Sequence, residues 1–252
     1  MTFRALLSRH AGAAFWRQQG LAELVGSASW GIDMGEGRLT IGGHAFPIQL
    51  LGSEAEGDGT WLWAWANVQS GLPPELVRFS EGLRERGECD GIAELSERSF
   101  PIERANGHEI GLVASGLARD GHAYYRAPYD GGALYVLLGD VPVPGAMDVP
   151  AVRVPGVLGQ VVSTFDLDHR ALTTGFLADA GFAPEDRGEV VSGRRGDDVV
   201  TVTFDARGRI GGMEGTIAPD EGGAGAAATD GAGRDRETRP GLGARLRRLF
   251  GG

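Results

Sequence analysis

The segment Thr60-Trp61-Leu62-Trp63-Ala64-Trp65-Ala66-Asn67 places three tryptophans at alternate positions, with Leu62, Ala64 and Ala66 between them. A period of two is the period of a β-strand, whose successive side chains point to opposite faces. Apolar residues on both faces predict a central strand covered on both sides, or a strand with one face lining a groove. The residues before it use the same pattern. Trp30, Ile32 and Met34 alternate, Gly35-Glu36-Gly37 turns the chain, and Leu39 and Ile41 resume. Gly42-Gly43 turns it again, Phe46 to Leu51 reads as a third strand, and Gly57-Asp58-Gly59 leads into the tryptophans. Turns this tight cannot carry a parallel crossover, so the region reads as a meander of antiparallel strands.

Helices frame the meander. Phe3, Leu6, Leu7, His10, Ala14, Leu21, Leu24 and Val25 recur at spacings of three and four, which predicts a helix over 3–25 stopped at Gly26. Pro73-Pro74 opens a second helix to about Arg86, with Glu75 in the first turn where the helix dipole favours a carboxylate. Phe100-Pro101-Ile102 is extended, and a third helix is expected over 103–117. Tyr124–Tyr129 and Leu134–Leu138 then pair around Asp130-Gly131-Gly132.

Val141-Pro142-Val143-Pro144-Gly145 marks a boundary, because prolines and glycine end the sheet pattern. Beyond it, helices are expected over 155–164 and 167–180, and strands over 189–193, 198–204 and 209–217. The expected fold is α+β: a mostly antiparallel sheet with helices packed on one face (1–145), plus a smaller helix-and-three-strand unit (150–217). Residues 218–238 contain no large apolar side chain and read as a flexible linker. Residues 239–252 form a basic amphipathic tail, in which Leu242, Leu246, Leu249 and Phe250 sit at helical spacing among Arg245, Arg247 and Arg248. The tail holds four arginines and no acid in a chain of net charge −10, which leaves −14 on residues 1–238.

Composition excludes several chemistries. All 24 basic residues are arginine. Without lysine there is no phosphate loop of the GxxxxGK[ST] type, no Schiff-base enzyme and no SxxK acylase. Lysine-free usage with 43 glycines in 252 residues resembles a high-GC bacterial genome, a codon effect. An acidic chain does not suit a nucleic-acid partner. The one cysteine forms no internal disulfide, no apolar run approaches the length of a membrane span, and the first residues lack a signal-peptide pattern. A soluble, cytoplasmic protein is expected.

No catalytic residue, metal site or cofactor is assigned. Cys89 lies between Glu88 and Asp90, which oppose a thiolate. Asp166, Asp168 and His169 lack the paired His/Cys spacing of zinc sites, and an aspartate there serves better as a helix N-cap. The tryptophan stripe has two readings: core packing, or a groove in which Trp61, Trp63, Trp65, Tyr124 and Arg126, with Tyr125 and Tyr129, meet a ligand or partner. Leu242, Arg245, Leu246, Arg247, Arg248, Leu249 and Phe250 are the docking residues of the tail, for an unknown protein partner or weak contact with an anionic membrane. A non-enzymatic binding or adaptor module is therefore expected. The alternative is a small hydrolase or transferase gathering Asp33, His44, His108 or His122 in a cleft.

The initial helix, Trp30-Gly31-Ile32-Asp33, Leu50-Leu51-Gly52-Ser53-Glu54 and Asp58 to Asn67 together resemble an uncharacterised bacterial family known only as a domain of unknown function. Phe165 to Arg170 and Phe204 to Ile210 resemble its C-terminal part, so that the resemblance covers roughly 1–217. It implies no activity, substrate or cofactor.

Overall fold

The computed structural model describes residues 1–216; the linker and the docking tail lie outside the described residues. Helix α1 spans Phe3–Val25, its first turn capped by the Thr2 hydroxyl, which accepts from the Ala5 N–H. Strands β1 (Trp30–Asp33), β2 (Arg38–Ile41), β3 (His44–Ala55) and β4 (Thr60–Trp63) follow, then α2 (Pro74–Asp90), a short α3 (Ala93–Ser96) and β5 (Ser99–Pro101). Helix α4 (Gly107–Ala118) and the hairpin β6 (Ala123–Tyr129) and β7 (Gly132–Leu138) complete the first part. Every strand pairing is antiparallel, and the fold is α+β.

The first sheet runs β1-β2-β3-β4-β5, with β7 also paired to β3 and β6 to β7. The expected meander is present, but its third strand bears the long-range pairing. β3 is twelve residues long and aligns Ile48 with Leu138 and Ala55 with Gly132. A shift of register between Leu50 and Gly52 inserts one extra residue. Such a bulge re-aims the chain. Phe46, Ile48 and Leu50 join one apolar cluster with Val136 and Leu138, whereas Leu51 joins Trp61, Trp63, Tyr135 and Leu137 in the other. Gly52 is required there, because a Cβ would stand 2.5 Å from the Trp61 ring and 2.4 Å from the Leu62 carbonyl.

The tryptophan strand is shorter than its alternation suggests. It ends at Trp63, and Ala64–Ala66 form a 3₁₀ turn that takes Trp65 off the strand face. Helix α4 starts at Gly107 instead of 103, because Asn106 and Glu109 form a reciprocal capping box. Helix α2 runs on to Asp90, so Cys89 lies within it, exposed.

After the boundary, α5 (Val154–Thr164) and α6 (His169–Asp179) precede a second sheet of β8 (Ala183–Asp186), β9 (Val190–Arg195), β10 (Asp198–Phe204) and β11 (Ile210–Thr216). Four strands stand where three were expected; β8, an edge strand carrying Pro184, has no apolar alternation to announce it. Val154, Leu158, Leu172, Phe176, Val200 and Val202 belong to the same apolar cluster as the first half of α1. Gly12 of α1 meets Phe176 of α6 so closely that a Cβ would fall 2.5 Å away.

Candidate functional site

Helix α2 covers β3 and leaves a groove beside α4. The groove holds about 460 Å³ and is lined by Gln49 of β3, Glu75, Arg78, Phe79, Gly82, Leu83 and Arg86 of α2, and Leu117 of α4. Its floor is apolar: Leu83 is buried and Phe79 and Leu117 are half-buried. Gly82 sits in the middle of a helix, where glycine is destabilising by roughly 0.5–1 kcal/mol relative to alanine. Several helical glycines have a steric reason, since a Cβ at Gly87, Gly111 or Gly116 would come within 2.6 Å of a neighbour, whereas Gly156 of α5, like Gly82, has none. At Gly82 nothing lies within 4 Å. The missing side chain leaves open space, and that space belongs to the groove.

Gln49 fixes α2 to the sheet. Its Nε2 donates to the Glu75 carbonyl at 2.9 Å, and its Oε1 accepts from the Phe79 N–H at 3.0 Å. Those two backbone groups are the pair that an α-helix joins to each other. A side chain from the sheet thus spans one turn of the helix.

The charge along α2 is divided. Arg84 pairs with Glu88 at 3.6 Å and Arg86 with Asp90 at 3.3 Å, each one turn apart. Among the described residues Glu75, Glu81 and Glu85 make no ion pair, and Arg78 is the only α2 cation in the same condition. The groove therefore has an apolar floor beside a helix with excess acid.

A second cavity, about 270 Å³, lies among Arg9, His10 and Arg17 of α1, Gly116, Arg119, Asp120 and Asp179. His10 is pushed down to about 4, first by burial and then by Arg9, with Asp179 opposing. It is neutral at pH 7. The arginines are held by internal partners. Arg9 takes the Gly175 carbonyl and both Asp179 oxygens; buried Arg17 donates to the His122 and Ser115 carbonyls at 3.0 and 2.8 Å. These bonds tie α1 to α4, α6 and the loop before β6. A third cavity, about 340 Å³, is lined by Val162–Asp166, His169 and Arg209, and the His169 Nδ1 accepts there from the Ile210 N–H at 3.1 Å.

The groove expected along the tryptophan stripe is not an open surface. Trp61 and Trp63 are 0 % exposed and Tyr124 1 %. They pack ring to edge, Trp61 against Trp63 at 5.4 Å and against Tyr135 at 5.6 Å. Trp65 is half-buried under the Arg84 guanidinium. Arg126 reaches Glu56 at 3.5 Å, and Tyr129 alone of the three tyrosines from 124 to 129 is more than half exposed. The α4 glycines explain the packing: a Cβ at Gly107 would strike the Tyr135 ring at 2.3 Å, and one at Gly111 the Tyr124 ring at 2.5 Å.

A polar network runs through this aromatic core. His108 Nδ1 lies 3.0 Å from the Tyr124 hydroxyl, and the Tyr135 hydroxyl donates to Glu54 at 2.8 Å. Glu54 also accepts from the Gly107 N–H at the start of α4, where the dipole favours a carboxylate. Burial, and secondarily Arg126, pushes His108 down to about 4; burial raises Tyr124, and burial with Glu54 raises Tyr135. The imidazole and the two phenols are held neutral by that burial.

The alternative set Asp33, His44, His108 and His122 does not converge. None of the four lines any of these three cavities. Asp33 accepts from the Gly35 and Glu36 N–H groups, His44 stacks on Phe46, and His122 sits beyond the far end of α4 from His108. Asp168 caps α6, accepting from the Arg170 and Ala171 N–H groups. Among the described residues no three His, Cys, Asp or Glu side chains gather as a metal site, and no helix is long and apolar enough to cross a membrane. The groove residues Gln49, Phe79, Leu83 and Leu117 were not singled out by sequence; the available signal was Gly82, a glycine inside a helix.

Comparison with curated proteins and with solved structures gave no match. A family model matches residues 4–141, leaving the stretches at 165–170 and 204–210 outside it. The model is that of a family of unknown function (DUF6882), and, with more than half of the chain inside it, the protein belongs to that family.

Proposed function

We propose that this protein is a non-enzymatic binding module of the cytoplasm that receives an apolar segment with basic flanks in the groove over Gly82. The carrying observation is the open space at Gly82 above the floor of Phe79, Leu83 and Leu117. Apolar contact supplies the affinity of such grooves, and flanking charge supplies selectivity. The unpaired Glu75 on the groove's lining, and the net acid of α2 as a whole, favour a basic flank. A single exposed cysteine suits a reducing compartment.

The test is photo-crosslinking from a benzophenone side chain at position 82, with position 207 on the exposed β10–β11 turn as control. A crosslink from 82 but not 207, mapped to a partner peptide with apolar residues and basic flanks, supports the reading. Equal capture at both positions, or none at 82, overturns it.

A second reading, a hydrolase or transferase, is favoured by the neutral His10 beside Asp179 in the polar cavity. It requires an activity that His10→Ala abolishes and that a blocked groove leaves intact.

A further inference from the structure

We infer that the groove over Gly82 is occupied, in the free protein, by the chain's own residues 242–250, so that the module carries its own competing ligand. The inference rests on the binding-module reading above. Three observations meet at this site.

The first is side-chain spacing. Leu242, Leu246, Leu249 and Phe250 follow one another at four, three and one, which puts all four on one face of a helical turn. A floor built of Phe79, Leu83 and Leu117 accepts that pattern, the i, i+4, i+7 anchoring of helix-in-groove recognition.

The second is charge. Arg245, Arg247 and Arg248 stand among the apolar residues with no acid in the last 14 positions. On α2, Arg84 and Arg86 are occupied by Glu88 and Asp90, and Glu75, Glu81 and Glu85 outnumber the one unpaired cation, Arg78. The acid excess belongs to α2 as a whole; on the groove's own lining Glu75 stands with Arg78 and with Arg86, whose charge Asp90 takes up.

The third is reach. The described fold ends at Thr216, and 22 residues, 217–238, precede the tail. A stretch of that length extends to at most roughly 70–80 Å. The body of 216 described residues has an expected radius of gyration of about 17 Å, so the groove is within range. Tethering also changes the equilibrium. At an effective concentration of about 1 mM, a segment with an intrinsic Kd of about 0.1 mM leaves the groove closed roughly ten times as often as open. A foreign segment then binds with its apparent affinity reduced by the same factor.

The test uses the full chain with Cys89→Ser and new cysteines at Gly82→Cys and Phe250→Cys, oxidised at low micromolar concentration. The expected result is an intramolecular disulfide forming about tenfold faster than in an Arg207→Cys, Phe250→Cys control, with the advantage lost when Glu81 and Glu85 are changed to arginine. Arg78→Cys, exposed one turn earlier on the rim, repeats the measurement on a second backbone site. Equal rates for the groove pair and the control overturn the inference, and so does a disulfide found only between two chains. Either failure, with a foreign peptide still crosslinking at position 82, leaves the binding module standing. Loss of both removes the groove as a site.

Discussion

Lowering the pH from 8 to 5 removes about 2 kcal/mol of stability through His108 alone. The imidazole sits in the aromatic core, and burial there holds it at about 4, against an ordinary value of about 6.5. Above pH 6.5 it is neutral in both the folded and unfolded chain, and its environment is without pH dependence. As the pH falls below 6.5 the unfolded chain takes up a proton that the folded chain refuses, so stability falls until about pH 4. At pH 5 the unfolded imidazole is about 97 % protonated and the folded one about 9 %. The 1.5 pH units between 6.5 and 5, at about 1.36 kcal/mol each, give about 2 kcal/mol. Urea denaturation of the wild type and His108→Gln at pH 8 and pH 5 measures this as a double difference. His10 acts in the same direction, but it is present in both proteins and cancels. With m of about 1–3 kcal/mol/M, the wild type's urea midpoint drops further than the variant's by roughly 0.7–2 M. Equal losses in the two proteins would refute the reasoning, because His108 would then be protonated as readily in the fold as in the unfolded chain.

Two glycines of similar appearance have opposite outcomes in thermal melts. Gly82→Ala stabilises by about 0.5–1 kcal/mol, since nothing lies within 4 Å of the new methyl group, whereas Gly111→Ala destabilises by about 1–3 kcal/mol, because its methyl group falls 2.5 Å from the Tyr124 ring; the reverse order contradicts the packing described. Gln18, fully buried, holds both the N–H and the carbonyl of Tyr124 with its side-chain amide. Gln18→Leu therefore costs about 1–3 kcal/mol for each group left unpaired and speeds hydrogen exchange at the Tyr124 amide; unchanged exchange tells against it. Trp63→Ala costs about 3–5 kcal/mol, a fall in melting temperature of roughly 6–20 °C, and a variant melting with the wild type would place Trp63 outside the core.

Local periodicity carried most of the fold. The 3.6-residue repeat of α1, the Gly-bounded strands before Trp61 and the Gly131-Gly132 hairpin were legible because each is set by residues close in sequence. The β3–β7 pairing was not, since its partners are separated by some eighty residues and share no local signal. β8 escaped notice because an edge strand with Pro184 has neither the alternation nor the apolar content of a buried one. The tryptophan stripe was legible as aromatic, yet its burial depended on α4, whose glycines admit the tyrosine rings stacked beneath it. The groove was the least legible. It is defined by what Gly82 lacks and by Gln49, a polar residue on a strand, whose partners lie one helical turn apart on another element.

That glutamine sets how the groove meets an occupant. Because β3 itself holds the first turn of α2, the helix cannot swing away from the sheet without breaking two hydrogen bonds at once. The cleft is preorganised, and an arriving segment orders only itself. A foreign segment then waits only for the tail proposed above to leave and not for α2 to open, and differences between competing segments fall on their rates of departure.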